Sequence, residues 1–161
     1  MTSWQASMSE LLFDTTILLD ALDRSRPECV EAREVLSLCN GGGDLGLVCS
    51  GALKDVYHIL GKMWDEPTAR RCVSDLMGLL VIVPIGAEEC DLAMRSGEPD
   101  FEDGIVRAAA ELEGVDFILT RSKSAFQNSK VRSVTCAEYL RIVASEPTPR
   151  QLLFPEEDEK D

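Results

Sequence analysis

The side chains of this chain best suited to chemistry are carboxylates set beside strand-like apolar runs. In Leu11-Leu12-Phe13-Asp14-Thr15-Thr16-Ile17-Leu18-Leu19-Asp20 one acid, Asp14, interrupts such a run. Burying an ionised carboxylate there is costly unless it meets a cation or hydrogen-bond donors. Asp14 is therefore expected at a strand end facing a site. Capping is the alternative reading, since Thr15 and Thr16 are suited to turning the chain into a helix. Asp55 falls in the first or second turn of a helix after the apolar run 45–49, where the macrodipole favours an anion, and so repeats the expected position of Asp14. Asp100-Phe101-Glu102-Asp103 then sets three carboxylates directly before a helical apolar face, more than capping requires. Such a cluster invites a cation.

Alternating elements must position these acids. Apolar runs near residues 11, 46, 81, 116 and 134 read as strands, and 80–83 is the most strand-like of them. Between them helical periodicity is expected over 17–22, 27–38, 51–63, 68–79, 87–95, 104–113 and 137–143, with Pro27 in a first turn and Ser50 as a cap. The stretch Asn40-Gly41-Gly42-Gly43-Asp44 lacks a following Gly-Lys-Ser/Thr and reads as a flexible turn rather than a phosphate loop. This is the βα rhythm of an α/β/α sandwich with a mostly parallel central sheet, whose ligands gather at the carboxyl ends of the strands. Asp14, Asp55, the acidic cluster and Ser122 all fall at such ends or at the helix starts just beyond them.

The totals narrow the classes. A chain of 161 residues fits one domain, expected over 11–145 between a polar lead of 1–10 and an acidic, disordered tail of 146–161. No apolar run approaches the roughly 20 residues that span a bilayer, and residues 1–10 do not read as a signal peptide, so the cytoplasm is the expected location. Six cysteines without a Cys-x-x-Cys pair, beside a single histidine, argue for reduced thiols and against zinc. The formal charge of −13 gives no simple attraction to nucleic acid, although the tail segment 156–161 alone carries five acids and one base. A divalent cation in the acidic site would offset part of that repulsion, and a basic protein is the other natural partner.

Four segments together resemble the PIN-domain family of metal-dependent ribonucleases, which includes the VapC-type toxins of toxin-antitoxin pairs. They are Phe13-Asp14-Thr15-Thr16-Ile17-Leu18-Leu19-Asp20, Ser50-Gly51-Ala52-Leu53-Lys54-Asp55-Val56-Tyr57, Asp100-Phe101-Glu102-Asp103-Gly104-Ile105-Val106-Arg107-Ala108-Ala109-Ala110 and Val115-Asp116-Phe117-Ile118-Leu119-Thr120-Arg121. The likeness spans about residues 11–142 and lies in the order and spacing of the segments. It implies Asp14, Asp55 and Asp103 as the acids holding Mg²⁺ or Mn²⁺, with Asp100 as a further ligand and Glu102, Thr16, Thr120 and Ser122 in support. The ion would polarise a phosphodiester and activate water for in-line attack. The family usually continues past its Thr-Arg pair with Asp or Asn and often another Asp three residues on; here these positions hold Ser122 and Ala125, which points to weaker metal binding.

The resemblance further implies an RNA substrate, an antitoxin partner and a homodimer, with the helices 27–38 and 68–79 offering apolar contact surface. Arg121 reads either as a phosphate contact or as the partner of a nearby acid. Asp20 and Asp116 are expected to be solvated or to support other ligands, His58 to be a surface or packed residue, and Trp4 and Trp64 to pack or meet a partner. Lys54, Lys62, Arg70 and Arg71 read either as a small basic rim or, the more usual case, as a solvated helix surface. Two function classes remain: the ribonuclease, and a catalytically degenerate PIN-fold binding module. A haloacid-dehalogenase-type phosphatase is disfavoured because Thr16 stands where its second Asp belongs.

Overall fold

Consecutive residues Leu11, Leu12 and Phe13 of the first strand are all at most 1% exposed. Because successive strand side chains point to opposite faces, both faces of the sheet are covered, as a parallel sheet between two helical layers requires. The computed structural model describes residues 8–97 and 100–145. The expected tail and most of the expected lead lie outside the described residues.

The strands are β1 (Glu10–Phe13), β2 (Leu45–Cys49), β3 (Val81–Val83), β4 (Phe117–Leu119) and β5 (Arg132–Val134). All pairs are parallel and the order is β3-β2-β1-β4-β5. In register, Leu11 of β1 faces Gly46 on one side and Phe117 on the other. The chain winds from β1 outward to β3, then returns to the other side of β1 for β4. That places the reversal of winding between β1 and β4, where ligand crevices of open parallel sheets form.

Among the described residues six α-helices lie between the strands and a seventh follows β5: α1 (Thr15–Leu22), α2 (Cys29–Leu38), α3 (Ser50–Met63), α4 (Glu66–Leu79), α5 (Ala87–Arg95), α6 (Phe101–Glu113) and α7 (Cys136–Ser145). Several differ from expectation at their starts. Pro27, expected in the first turn of α2, lies before it, since the helix begins at Cys29 with Glu28 at its N-cap. Ser50 is the first residue of α3 rather than its cap, and its hydroxyl accepts from the Ile85 amide at 3.3 Å. The polar segment after β4 also contains a 3-10 helix, Lys123–Phe126, that its irregular pattern does not announce. The strand-like run around β3 forms the sheet edge, so Val81 and Ile82 remain exposed.

Two local devices hold the helix that carries the acidic cluster. Asp100 caps α6 by accepting from the Glu102 amide at 2.7 Å, and Gly114 ends the helix at φ +67°, a conformation glycine adopts without steric cost. Gly104 allows close approach to α5: a Cβ there would sit 3.1 Å from Ala93 Cβ and 3.3 Å from its carbonyl oxygen. The glycine turn before β2 is anchored at its end, since Asp44 accepts from the Ser9 amide at 3.1 Å and from the Tyr139 hydroxyl. Among the described residues no helix is long and apolar enough to cross a membrane.

Candidate functional site

Asp14 occupies the first position after β1 and performs both roles that its sequence context allows. Its amide donates to Leu119 O at 3.0 Å, extending the β1–β4 pairing by one residue. Its Oδ1 caps α1 by accepting from the Thr15 amide at 2.9 Å. Its Oδ2 accepts from the hydroxyl of Thr120, a fully buried residue, at 2.9 Å, and that hydroxyl oxygen in turn accepts from the Ser122 amide at 3.0 Å. The ends of β1 and β4 thus orient the carboxylate from both sides. Burial pushes its pKa above the ordinary aspartate value, against the lowering effect of the Thr120 and Thr15 hydrogen bonds. A nearby cation would relieve that penalty.

The cleft beside Asp14 has a volume of about 690 Å³ and lies at the carboxyl ends of the strands. Asp14, Thr15 and Thr16 from the start of α1, Lys54, Asp55 and His58 from α3, Phe101, Glu102 and Asp103 from α6, and Ser122 beyond β4 all line it. Among the described residues, four carboxylates from three separate segments therefore line one cavity. Asp55 is half-exposed, with Lys54 Nζ 3.9 Å from its Oδ1. Cys49 also borders the cleft, but burial, with Asp14 and Glu89 nearby, pushes its thiol up to about 12. It stays protonated at neutral pH and offers neither a nucleophile nor a thiolate ligand.

Other residues singled out in the sequence lie elsewhere. Asp100 does not border the cleft and its Oδ1 is engaged in capping α6. Arg121 does not border it either: Nε lies 2.9 Å from Asp20 Oδ2, Nη2 donates to Asp20 Oδ1 at 3.2 Å, and Nη1 is 3.8 Å from Glu28. Asp20, expected to be solvated or supporting, is fully buried in α1 and also meets Arg26 at 3.3 Å. Burial raises its pKa while Arg121, then Arg26, pull it back. Asp116 accepts from the Glu10 amide at 2.8 Å, at the opposite end of β4 from the cleft. All six cysteines are free, three of them buried.

The donor set is hard carboxylate oxygen, the chemistry preferred by Mg²⁺ and Mn²⁺. Among the described residues, no three His, Cys, Asp or Glu side chains form a preassembled ligand cluster. Magnesium retains several waters and commonly takes only one or two protein carboxylates, so a cleft of spaced acids fits a hydrated ion better than a closed cage would.

A family model described as PIN domain matches residues 10–124. Among solved structures, the chain is similar to VapC20 of Mycobacterium tuberculosis, described as a sarcin-ricin loop cleaving toxin, with a TM-score of 0.61 at 10% identity over 73% of this chain and 93% of that one. DNA-bound VapBC from Salmonella typhimurium gives a TM-score of 0.62 at 15% identity, covering 80% and 99%. A toxin-antitoxin complex from Klebsiella pneumoniae gives 0.59 at 22%, covering 78% and 97%. No curated protein matches the chain in sequence.

Proposed function

This chain belongs to the PIN domain family, and from that membership we propose that it is a divalent-metal-dependent ribonuclease of toxin type. The observation that carries the reading is the convergence of Asp14, Asp55, Glu102 and Asp103 on one cleft at the reversal point of a parallel sheet. In this reading Asp14, Asp55 and Asp103 hold Mg²⁺ or Mn²⁺, with Glu102 and Thr16 contacting its waters. The bound ion supplies Lewis-acid polarisation of the phosphodiester and a more acidic water for attack. Thr15 and Thr120 each occupy one carboxylate oxygen of Asp14, fixing its plane while leaving lone pairs for a ligand. Ser122 offers only a neutral hydroxyl at the position of a further acid. We assign Asp100 to positioning α6, and Arg121 to holding Asp20 rather than substrate.

For partners, the reading takes RNA as substrate, a basic antitoxin as the inhibitor of the acidic cleft, and a second copy of the chain. Exposed Val30 on α2 and Met77 on α4 provide apolar surface for that second copy. A soluble, cytoplasmic protein is consistent with this role. A binding module without catalysis is the second reading, favoured by Ser122 and Ala125 in place of acids and by the spacing of those that remain. Cleavage of structured and single-stranded RNA with Mg²⁺ or Mn²⁺ separates the two. Metal-dependent cleavage that falls by at least about 100-fold in both Asp14→Asn and Asp103→Asn is the result expected of the nuclease. Absence of cleavage with either metal would favour the binding module.

A further inference from the structure

The cleft carries a group that metal chemistry does not use. Phe101, at the first position of α6, is 45% exposed and lines the cavity beside Glu102 and Asp103. The helix does not need an aromatic ring there, because Asp100 already provides the cap. Charge gives a second argument. Among the described residues lining the cleft, the charged ones are four carboxylates and Lys54, with His58 and the protonated Cys49 beside them, so a polyanion gains little from direct electrostatic contact. Recognition of a nucleic-acid strand there needs a contact indifferent to charge, and stacking of a base on an exposed aromatic ring is such a contact. A duplex keeps its bases stacked on one another, so the partner must be single-stranded or splayed.

Resting on the ribonuclease reading, we propose that Phe101 is a base-stacking platform that selects single-stranded RNA, while Lys54 and His58 on the facing α3 contact its backbone. The occupied strand lies across the cleft with one base on the ring and its neighbouring phosphate near the acids. Few phosphates are neutralised by side chains, so affinity depends only shallowly on salt.

The test is equilibrium binding of a short oligoribonucleotide carrying 2-aminopurine, read by fluorescence quenching and anisotropy. It uses the Asp14→Asn background to block cleavage, and Phe101→Ala and Phe101→Trp are compared with it. Stacking predicts roughly tenfold weaker binding and loss of quenching in Phe101→Ala, with both retained in Phe101→Trp. A duplex of the same sequence should bind weakly to every variant. Equal affinities of the parent protein and its Phe101→Ala variant, or no binding of the oligonucleotide at all, would overturn the proposal and leave the ring as a contact for a protein partner. Cleavage by the wild-type protein is scored separately: a cleaving enzyme whose KM is unchanged by Phe101→Ala rejects the platform but keeps the nuclease.

Discussion

At the scale of single residues, Asp14 combines a structural cost with the metal-binding role proposed for it. Its raised pKa means that the folded chain holds a proton on this carboxyl more readily than the unfolded chain does. The corresponding contribution to stability is fully present below the ordinary aspartate value of 3.8 and is lost as pH rises through the folded-state value. At neutral pH the metal-free protein therefore bears the penalty of a buried charge. Asp14→Asn is expected to raise the melting temperature of the metal-free protein at pH 7, with the gain shrinking as the pH approaches 4. Thermal denaturation of both proteins across that range checks it; a lower melting temperature for Asp14→Asn at pH 7 would contradict it. The position of Asp14 at a strand end beside a cleft was legible in the sequence because a carboxylate inside an apolar run demands a physical explanation. Its partner Thr120 was visible only as a supporting residue, since a hydrogen bond across 106 residues leaves no local pattern. Phe101 carried no separate signal, because it lay within the acidic cluster, before the helix expected to begin at Gly104, whereas α6 begins at Phe101 itself.

At the scale of elements, the cleft is built by joints between segments. Arg121, beyond β4, clamps Asp20 on α1 and reaches Glu28 before α2, so three separate segments meet at one buried carboxylate. Sequence position alone left this arginine between phosphate contact and ion pair, because both uses begin at a strand exit. Removing the guanidinium leaves Asp20 with Arg26 as its remaining ion-pair partner, at a cost of about 2 kcal/mol. For a chain of this size that lowers the melting temperature by roughly 4 to 8 °C. Arg121→Ala should therefore destabilise the protein while leaving its KM for RNA within about twofold of wild type, because the side chain lies outside the cleft. A stable variant with a sharply raised KM would return Arg121 to the substrate site. The helix boundaries were legible to within a few residues where apolar periodicity and caps agree, as in α5, whose 87–95 span matches expectation. The 3-10 helix after β4 was not, since four residues hold no period.

At the scale of the molecule, the parallel α/β architecture followed from the alternation of short apolar runs with helical faces, and strand order became available only with the structure. Hydrophobic character also failed to distinguish the edge strand β3 from the central ones: Val81 and Ile82 belong to the most strand-like run yet remain exposed. The carboxylates that line the cleft outnumber its one lysine among the described residues, a balance that favours a cation over an anion there, and so metal binding is the property on which the functional reading stands. Titration of Mn²⁺ into the wild-type protein, Asp14→Asn and Asp103→Asn, followed by calorimetry at pH 7, tests it directly. A carboxylate metal site predicts saturable binding to the wild type below millimolar metal, with about 2.7 kcal/mol of added stability at a hundredfold excess over Kd, and loss of that site in both variants. No binding to the wild type up to millimolar Mn²⁺, or the same binding in all three proteins, would contradict it.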